Sequence, residues 1–399
     1  DHPIHYILMP SPVARVRCSS FMPLDIESYR LQFPVTRSAV YLDHAAVSPI
    51  PTVVRDAMVS QIEEVHHRGI EPIDQWLETI ENVRTVAASL INAGPDEIAF
   101  VKNTSEGISL FATGLEWAEG DEVVSVEEEF PANYYPWKLL ENRGVRLRLV
   151  SQPEGRIDLD RIARSLNPRT KVVTVSFVQF LSGYRLDLES LGRLCEDRGV
   201  LLFVDAIQGL GAFPLDVKKA KIAGLSADGH KWLLGPEGCG LFFVRRDVLD
   251  RLQPGAVGWA NFEGWLSFTQ GDPVWREGAG RFECGTLNTA GIYGLGAALN
   301  LISGIGVNAI ADRILSLTKR LREGLQARGF RLYGPVEEQH CSGIVSFYPR
   351  GTLSMDAEAV AGSLRSQRIM VSARRNLVRV SPHFYNTDDE IDQVLSLLC

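Results

Sequence analysis

The chain has 399 residues, 45% hydrophobic and 23% charged, proportions that exclude a disordered chain, a collagen-like repeat and an all-polar linker. Its formal net charge of −8, with no run of lysine or arginine, argues against nucleic-acid binding and against bulk attraction to anionic membranes. The six cysteines make no C-x-x-C pair and read as scattered reduced thiols of a cytoplasmic protein.

In chain order, residues 1–21 show no signal-peptide pattern and precede a more natural start at Met22, so they read as a disordered or appended arm. The pair His66 and His67 lacks the i,i+4 spacing of helical metal ligands, and no metal site is expected. A helix is predicted from Asp74 through Trp76, Leu77, Ile80, Val83, Val86, Ala87 and Leu90, closed by Asn92-Ala93-Gly94-Pro95. Short apolar runs follow at Ile98–Val101, Glu122–Val126, Val145–Val150, Lys171–Ser176, Val200–Val204 and Gly240–Val244, separated by polar helical stretches. Continuous apolar runs alternating with helices indicate strands buried on both faces, hence a mostly parallel sheet of an α/β protein. The helix from Asp187, with Leu188, Leu191 and Leu194 on one side, leads through Gly199 into the strand at Leu201–Val204 as one α–β unit. The apolar stretch Thr289–Ile310 carries Asn300, Asn308 and several glycines and reads as a buried helix rather than a membrane span. Beyond it, a long helix over Asn308–Arg328, weaker strands at Phe330–Tyr333, Ile344–Tyr348, Met370–Val371 and Leu377–Val380, and helices near 356–366 and 387–398 predict a smaller α+β unit.

Three features can carry chemistry. Asp205 ends a buried strand, and ligands of open α/β sheets bind beyond such carboxyl ends; a turn-capping role is equally open. Lys231 lies in Leu225-Ser226-Ala227-Asp228-Gly229-His230-Lys231-Trp232, flanked by apolar residues, where desolvation lowers an amine's pKa and suits it to Schiff-base chemistry. Thr104-Ser105-Glu106-Gly107 opens a helix after a strand, an anion-binding arrangement, although Glu106 also serves as a simple cap. Gly294-Leu295-Gly296 lacks a preceding strand and reads as helix packing rather than a dinucleotide fingerprint. A phosphate site, a strand-end carboxylate and a buried lysine about 26 residues later are together what pyridoxal phosphate chemistry requires: an amine for the aldehyde, a carboxylate for the pyridine nitrogen and a helix terminus for the phosphate.

With those residues in hand, the chain resembles the class V aminotransferase group of fold-type I pyridoxal-phosphate enzymes, which includes cysteine desulfurases, isopenicillin-N-epimerase-like proteins and kynureninases. The motifs are Tyr41-Leu42-Asp43-His44-Ala45-Ala46, Asn103-Thr104-Ser105-Glu106-Gly107, Val204-Asp205-Ala206-Ile207-Gln208, Gly229-His230-Lys231, Arg281-Phe282-Glu283-Cys284-Gly285-Thr286-Leu287-Asn288-Thr289 and Leu377-Val378-Arg379-Val380-Ser381. The resemblance implies a large domain at 46–304 with a mostly parallel sheet, a small α+β domain at 305–399 and a segment at 22–45 packing on the small domain. It implies pyridoxal 5′-phosphate as cofactor, Lys231 as Schiff-base lysine and Asp205 as partner of the pyridine nitrogen. Gln208 and Gln179 are expected on the ring-hydroxyl side, Phe130 on the ring face, and Thr104, Ser105 and His230 at the phosphate. Thr286 is expected to reach the phosphate of a second subunit in a homodimer with shared sites. Arg379 is expected to hold the substrate carboxylate with its two-pronged guanidinium, with His44 and Ala45 beside the substrate, a small-molecule amino acid.

The sequence also departs from its relatives. Desulfurases carry a histidine over the ring where this chain has Glu129-Phe130-Pro131-Ala132-Asn133. Phe130 can stack but cannot move a proton; kynureninase-like and epimerase-like members share the Phe-Pro. Desulfurases also need a loop cysteine before the carboxylate-binding arginine, and Ser372–Arg379 is short and has none. Cys341 reads as packing and Cys284 as a more remote alternative thiol. Asp228 stands where relatives often carry a hydroxyl for the phosphate and would repel it unless paired with a cation. Arg374 and Arg375 either bind an acidic substrate group or are solvated. Within Gly255–Arg281, Trp259, Phe262, Trp265, Phe268 and Trp275 form either an aromatic substrate wall or a dimer interface. The expectation is a class V aminotransferase-like enzyme acting on an α-amino acid. The alternatives are a cysteine desulfurase or C–S lyase, an epimerase or kynureninase-like lyase, and a non-catalytic scaffold, against which the joint presence of Lys231 and Asp205 argues.

Overall fold

Most of the β-branched and aromatic runs become strands of a central sheet because neither of their faces can be left in water; the run at Arg146–Val150 instead forms a largely exposed edge strand. The computed structural model describes residues 24–267, 271–349 and 356–398. The arm expected at 1–21, with Cys18, and also Phe268 and Cys399, lie outside the described residues. In chain order the strands are β1 (Val40–Tyr41), β2 (Ile98–Val101), β3 (Glu122–Val126), β4 (Arg146–Val150), β5 (Thr170–Ser176), β6 (Leu201–Asp205), β7 (Gly224–Asp228), β8 (Gly240–Val244), β9 (Leu332–Tyr333), β10 (Val345–Phe347), β11 (Ile369–Met370), β12 (Ser372–Arg374) and β13 (Leu377–Val380). The central sheet has seven strands in the order β2-β8-β7-β6-β5-β3-β4. Pairings from β7 through β4 are parallel, while β8 runs antiparallel to both neighbours. This is the mostly parallel α/β sheet that the apolar runs predict. β5 is almost wholly buried, and β3, β6, β7 and β8 are buried along their full length, as parallel strands covered on both faces must be.

Helices cover the sheet where their caps allow. Asp187 accepts the Ser190 amide at 3.0 Å and starts the helix Leu188–Asp197, as its sequence position predicts. The stretch read as one helix at Thr289–Ile310 is instead two, Thr289–Ile305 and Val307–Ala327, bent by 80° at Gly306, whose φ of 90° ends the first helix. A glycine at a left-handed position terminates a helix more strongly than apolar content extends it. Among the described residues no single helix is long and apolar enough to cross a membrane. Gly294 and Gly296 have packing roles: a Cβ at Gly296 would lie 2.4 Å from Val83.

The C-terminal part builds a four-stranded sheet in the order β12-β13-β10-β9, with antiparallel pairings throughout. β1 pairs in parallel with β11, so the segment before residue 46 is joined to the C-terminal unit.

One buried ion pair ties the outer layer together. Arg84 is 4% exposed on the helix Ile73–Leu90. It donates to Glu283 at 2.7 Å and to the Ile98 carbonyl at 2.8 Å, while Glu283 also accepts the Phe100 amide at 2.8 Å. Glu283 thereby anchors the segment that carries Cys284 and Thr286. Arg84→Met leaves that carboxylate buried without its main cation and should cost about 3 kcal/mol, read as a lowered urea midpoint. A loss under about 1 kcal/mol would mean that Arg276, 3.5 Å from Glu283, takes over.

Candidate active site

β5, β6 and β7 end together, and the loops beyond them enclose a cleft of about 400 Å³. Its walls include Ala45, Thr104, Ser105, Phe130, Asp205, Gln208, Asp228, His230, Lys231, Arg374 and Arg379. The sheet thus brings together residues from almost the whole length of the chain.

Asp205 is the last residue of β6 and is 1% exposed. Its Oδ1 accepts the Ile207 amide at 3.1 Å. Burial first, then the negative charge of Glu129, pushes its pKa up to about 7, against the opposing pull of the Ile207 amide and Lys231. Lys231 follows β7 in a turn closed by the Leu234 amide on the Lys231 carbonyl at 2.9 Å. Its Nζ lies 5.6 Å from the centroid of the Phe130 ring. Burial and the charge of Arg379 bring its pKa down to about 8, although Asp205 and Asp228 act the other way. Desolvation is the main cause of both shifts, in the directions that favour a neutral amine and a protonated acid.

Glu129 is a site residue that the sequence alone does not reveal. It is buried three residues past the end of β3 and accepts the Ser176 amide at 2.7 Å, the Ser176 hydroxyl at 2.5 Å and the Gln179 amide group at 2.9 Å. Ser176 is the register partner of Asp205, so β5 sets Glu129 beside Asp205. Gln179 is therefore turned toward Glu129; it does not line the cleft, and its Oε1 is buried without a partner.

At the opposite end stands the N-terminus of the helix Thr104–Gly114. Asn103 caps it by accepting the Glu106 amide at 3.0 Å, and Glu106 reaches back to the Lys102 amide at 2.7 Å. Glu106 is thus a cap. Gly107 lets the helix sit against β7, since a Cβ there would fall 2.3 Å from the Ser226 hydroxyl. The Thr104 hydroxyl accepts the Asp228 amide at 3.0 Å, which leaves its own proton free to donate. Asp228 has an imidazole beside it: its Oδ2 lies 3.0 Å from His230 Nδ1, close but off the hydrogen-bond axis. Its Oδ1 accepts the Gly229 amide at 2.7 Å.

Gln208 is fixed at both ends. Its Oε1 accepts the Trp232 indole N–H at 2.8 Å and its Nε2 donates to the Ala45 carbonyl at 3.0 Å, leaving one N–H for the cleft. His44, by contrast, does not line the cleft, although its neighbour Ala45 does. Its Nδ1 lies 2.8 Å from the Ser381 carbonyl and its Nε2 2.7 Å from the Tyr385 hydroxyl. A carbonyl can only accept, so Nδ1 carries the proton and Nε2 accepts from Tyr385. Burial, with His383 nearby, keeps this ring neutral.

The hairpin β12–β13 closes the mouth. Arg374 pairs with Leu377 across a two-residue turn in which Arg375 has a φ of 54°. Arg379 is 2% exposed, donates to the Phe180 carbonyl at 3.0 Å and lies 3.5 Å from Asp43. Its Nε has no partner. Arg374 lines the cleft, whereas Arg375 turns away to Glu128 at 2.6 Å.

Among the described residues no thiol lines the cleft. Cys341 is buried against Arg322. Cys284 and Thr286 line a separate depression with Lys102 and Asn288. Trp259, Phe262, Trp265 and Trp275 also lie away from the cleft in two pairs, Phe262 stacked on Trp275 at 4.7 Å and Trp259 tilted against Trp265 at 5.1 Å.

The family model Aminotransferase class-V matches residues 40–394. A probable cysteine desulfurase of Methanothermobacter thermautotrophicus is 33% identical over 92% of this chain and 95% of its own length. The apo structure of a cysteine desulfurase from Thermococcus onnurineus NA1 superposes with a TM-score of 0.85 at 30% identity, covering 95% of this chain and 98% of that one. A cystine C–S lyase in complex with its product, cysteine persulfide, also superposes with a TM-score of 0.85, at 26% identity over 92% of this chain and 99% of that one.

Proposed function

The chain belongs to the class V aminotransferase family, and we propose that it is a pyridoxal-phosphate enzyme acting on an α-amino acid through a Schiff base at Lys231, with elimination at Cβ as its reaction. The cleft suits the cofactor. The helix terminus at Thr104, the Thr104 and Ser105 hydroxyls and His230 would hold the phosphate. Asp205 would hold the ring nitrogen, the free N–H of Gln208 the ring hydroxyl, and Phe130 the ring face. Lys231, whose Nζ has no hydrogen-bond partner among the described residues, would meet the aldehyde carbon. When bound, the cofactor supplies an electron sink for negative charge developing at the substrate's Cα.

The protein's own groups then limit the reactions open to the substrate. Arg379 holds the α-carboxylate through its guanidinium, whose Nε is unpartnered. Lys231, brought toward neutrality by burial, takes the Cα proton. Asp205 keeps the ring nitrogen protonated. Epimerisation by two bases needs a second proton carrier facing Lys231, and the group there is the Phe130 ring. Desulfuration needs a thiolate acceptor, and no thiol lines the cleft among the described residues.

That missing thiol, together with the tight cysteine-free hairpin, carries the reading. Elimination breaks the Cβ–sulfur bond with its electron pair leaving on sulfur. Cysteine plus water then gives sulfide, pyruvate and ammonium. The loaded enzyme should form pyruvate and ammonium in equal amounts from cysteine or cystine. Alanine with a protein-bound persulfide overturns the reading in favour of desulfuration. Turnover that depends on an added keto acid overturns it in favour of amino transfer. Thr286, remote from its own cleft, and the paired indoles of 255–281 are assigned to the interface of a homodimer in which Thr286 reaches the second subunit's phosphate.

A further inference from the structure

The hairpin that carries Arg379 carries a second guanidinium. Arg379 pairs with Ser372 and Arg374 with Leu377. Because strand residues two apart share a face, Arg374 and Ser372 point the same way, and so does Arg379. The two arginines are diagonal cross-strand neighbours on the cleft side, about 7–8 Å apart at their backbones by strand geometry. Both line the cleft. The neighbouring Arg375, in a left-handed turn position, leaves this face for Glu128.

The cations of the cleft are not equally partnered. Lys231 feels Asp205 and Asp228, and Arg379 has Asp43 at 3.5 Å. Arg374 makes one hydrogen bond, to the Ala373 carbonyl at 2.8 Å, and among the described residues no carboxylate lies within ion-pair distance of it. Its charge bears on both Arg379 and Lys231, lowering the proton affinity of each. A half-buried cation held among other cations gains from an anion that the protein does not provide. Under the proposed chemistry of this same cleft, on which the inference rests, the phosphate takes the helix terminus and the α-carboxylate takes Arg379. Asp43, on which the Arg374 charge also acts, is already engaged by Arg379 and Ser372, so Arg374 keeps no ion-pair partner of its own among the described residues.

We infer that Arg374 is a specificity-determining residue that binds a second anionic group on the substrate's side chain, so that the preferred substrates are α-amino acids ending in a carboxylate or a sulfur oxyanion. The guanidinium fork suits either planar carboxylate or oxyanion. One end of it is already steadied by Ala373, which lowers the ordering cost of the contact.

Calorimetry on the cofactor-loaded enzyme tests this with isosteric pairs that differ only in charge: aspartate against asparagine, and glutamate against glutamine. The anionic member should bind about tenfold more tightly or better, the range of one charge-assisted contact. Arg374→Gln should bring the ratio close to one, and Arg374→Lys should retain part of it. Cysteine sulfinate titrated alongside aspartate separates the sulfur oxyanion from the carboxylate: tighter binding of either, lost in Arg374→Gln, supports the site and names its preferred anion. A ratio near one in the native enzyme overturns the inference, as does a ratio that survives Arg374→Gln. The native ratio needs no variant and so stands even if a substitution disturbs folding. Turnover of S-carboxymethylcysteine and S-carbamoylmethylcysteine keeps the two readings apart. If neither yields pyruvate while the binding ratio holds, elimination fails and the anion site stands.

Discussion

Lys231→Ala should lower turnover on the order of 10⁴-fold or more, because one substitution removes both the cofactor's covalent anchor and the base that takes the Cα proton. Lys231 is 9% exposed and its pKa sits at about 8, so near neutral pH part of it is already the neutral, nucleophilic amine. Lys231→Arg keeps the charge but not the nucleophile and should be equally inactive, which separates chemistry from electrostatics. A direct readout is borohydride reduction of the loaded protein and then peptide mass mapping. The added mass should appear on the peptide containing Lys231 and disappear in both variants. The rate at which cofactor-free protein captures added cofactor should rise with pH and level off above about 8, since only the neutral amine attacks. Label found on another lysine, or a Lys231→Ala enzyme of near-native rate, would sink the assignment.

The parts of this protein that are legible in its sequence are those set by burial of apolar runs and by local caps. Val172 to Val175 and Leu201 to Val204 have no polar face, so they read as internal parallel strands, and they are. Asp187 reads as a helix start because its carboxylate meets an amide three residues on. Asp205, Lys231 and Thr104 stand out as strand-end or helix-start residues, and the sheet gathers them in one cleft. Contacts made through topology are not legible. Nothing in the sequence separates Glu129 from Glu127 and Glu128 before it. Only the adjacency of β3 to β5, and of β5 to β6, buries the third of them against Ser176 and beside Asp205. The carboxylate of Asp228 looks out of place near a phosphate until the turn brings His230 against it. Arg374 and Arg375 are indistinguishable in sequence. The turn between β12 and β13 sends one into the cleft and the other out. His44 sits in a motif shared with relatives, yet both ring nitrogens are engaged behind the cleft wall. Alternation in strands and turn conformation decide such cases, and neither is visible until register is known.

Asp205→Asn should act in opposite directions on the loaded and cofactor-free protein. In the loaded enzyme the substitution removes the anion that keeps the ring nitrogen protonated, and turnover should fall roughly 10²- to 10³-fold, the scale of losing one preorganised electrostatic contact. In the cofactor-free protein the same carboxylate is a burden. It is 1% exposed and close to Glu129, and its pKa is raised to about 7, whereas in the unfolded chain it titrates near 3.9. Between those values the folded state holds a proton that the unfolded state has released. Stability therefore falls as pH rises through that window, and the loss is complete above about pH 7. Asparagine carries no such cost and can still accept the Ile207 amide. Lys231, deprived of its partner, can shed its proton at about pH 8 rather than remain as a buried charge. Cofactor-free Asp205→Asn should therefore be more stable than the native protein by on the order of 1 to 3 kcal/mol at about pH 8, with a smaller gain at about pH 5, measured by thermal unfolding at each pH. A cofactor-free variant less stable than the native protein at the higher pH would mean that Asp205 is held in place for the fold. A stabilised variant with its turnover lost would mean that the fold tolerates this carboxylate for the chemistry it performs.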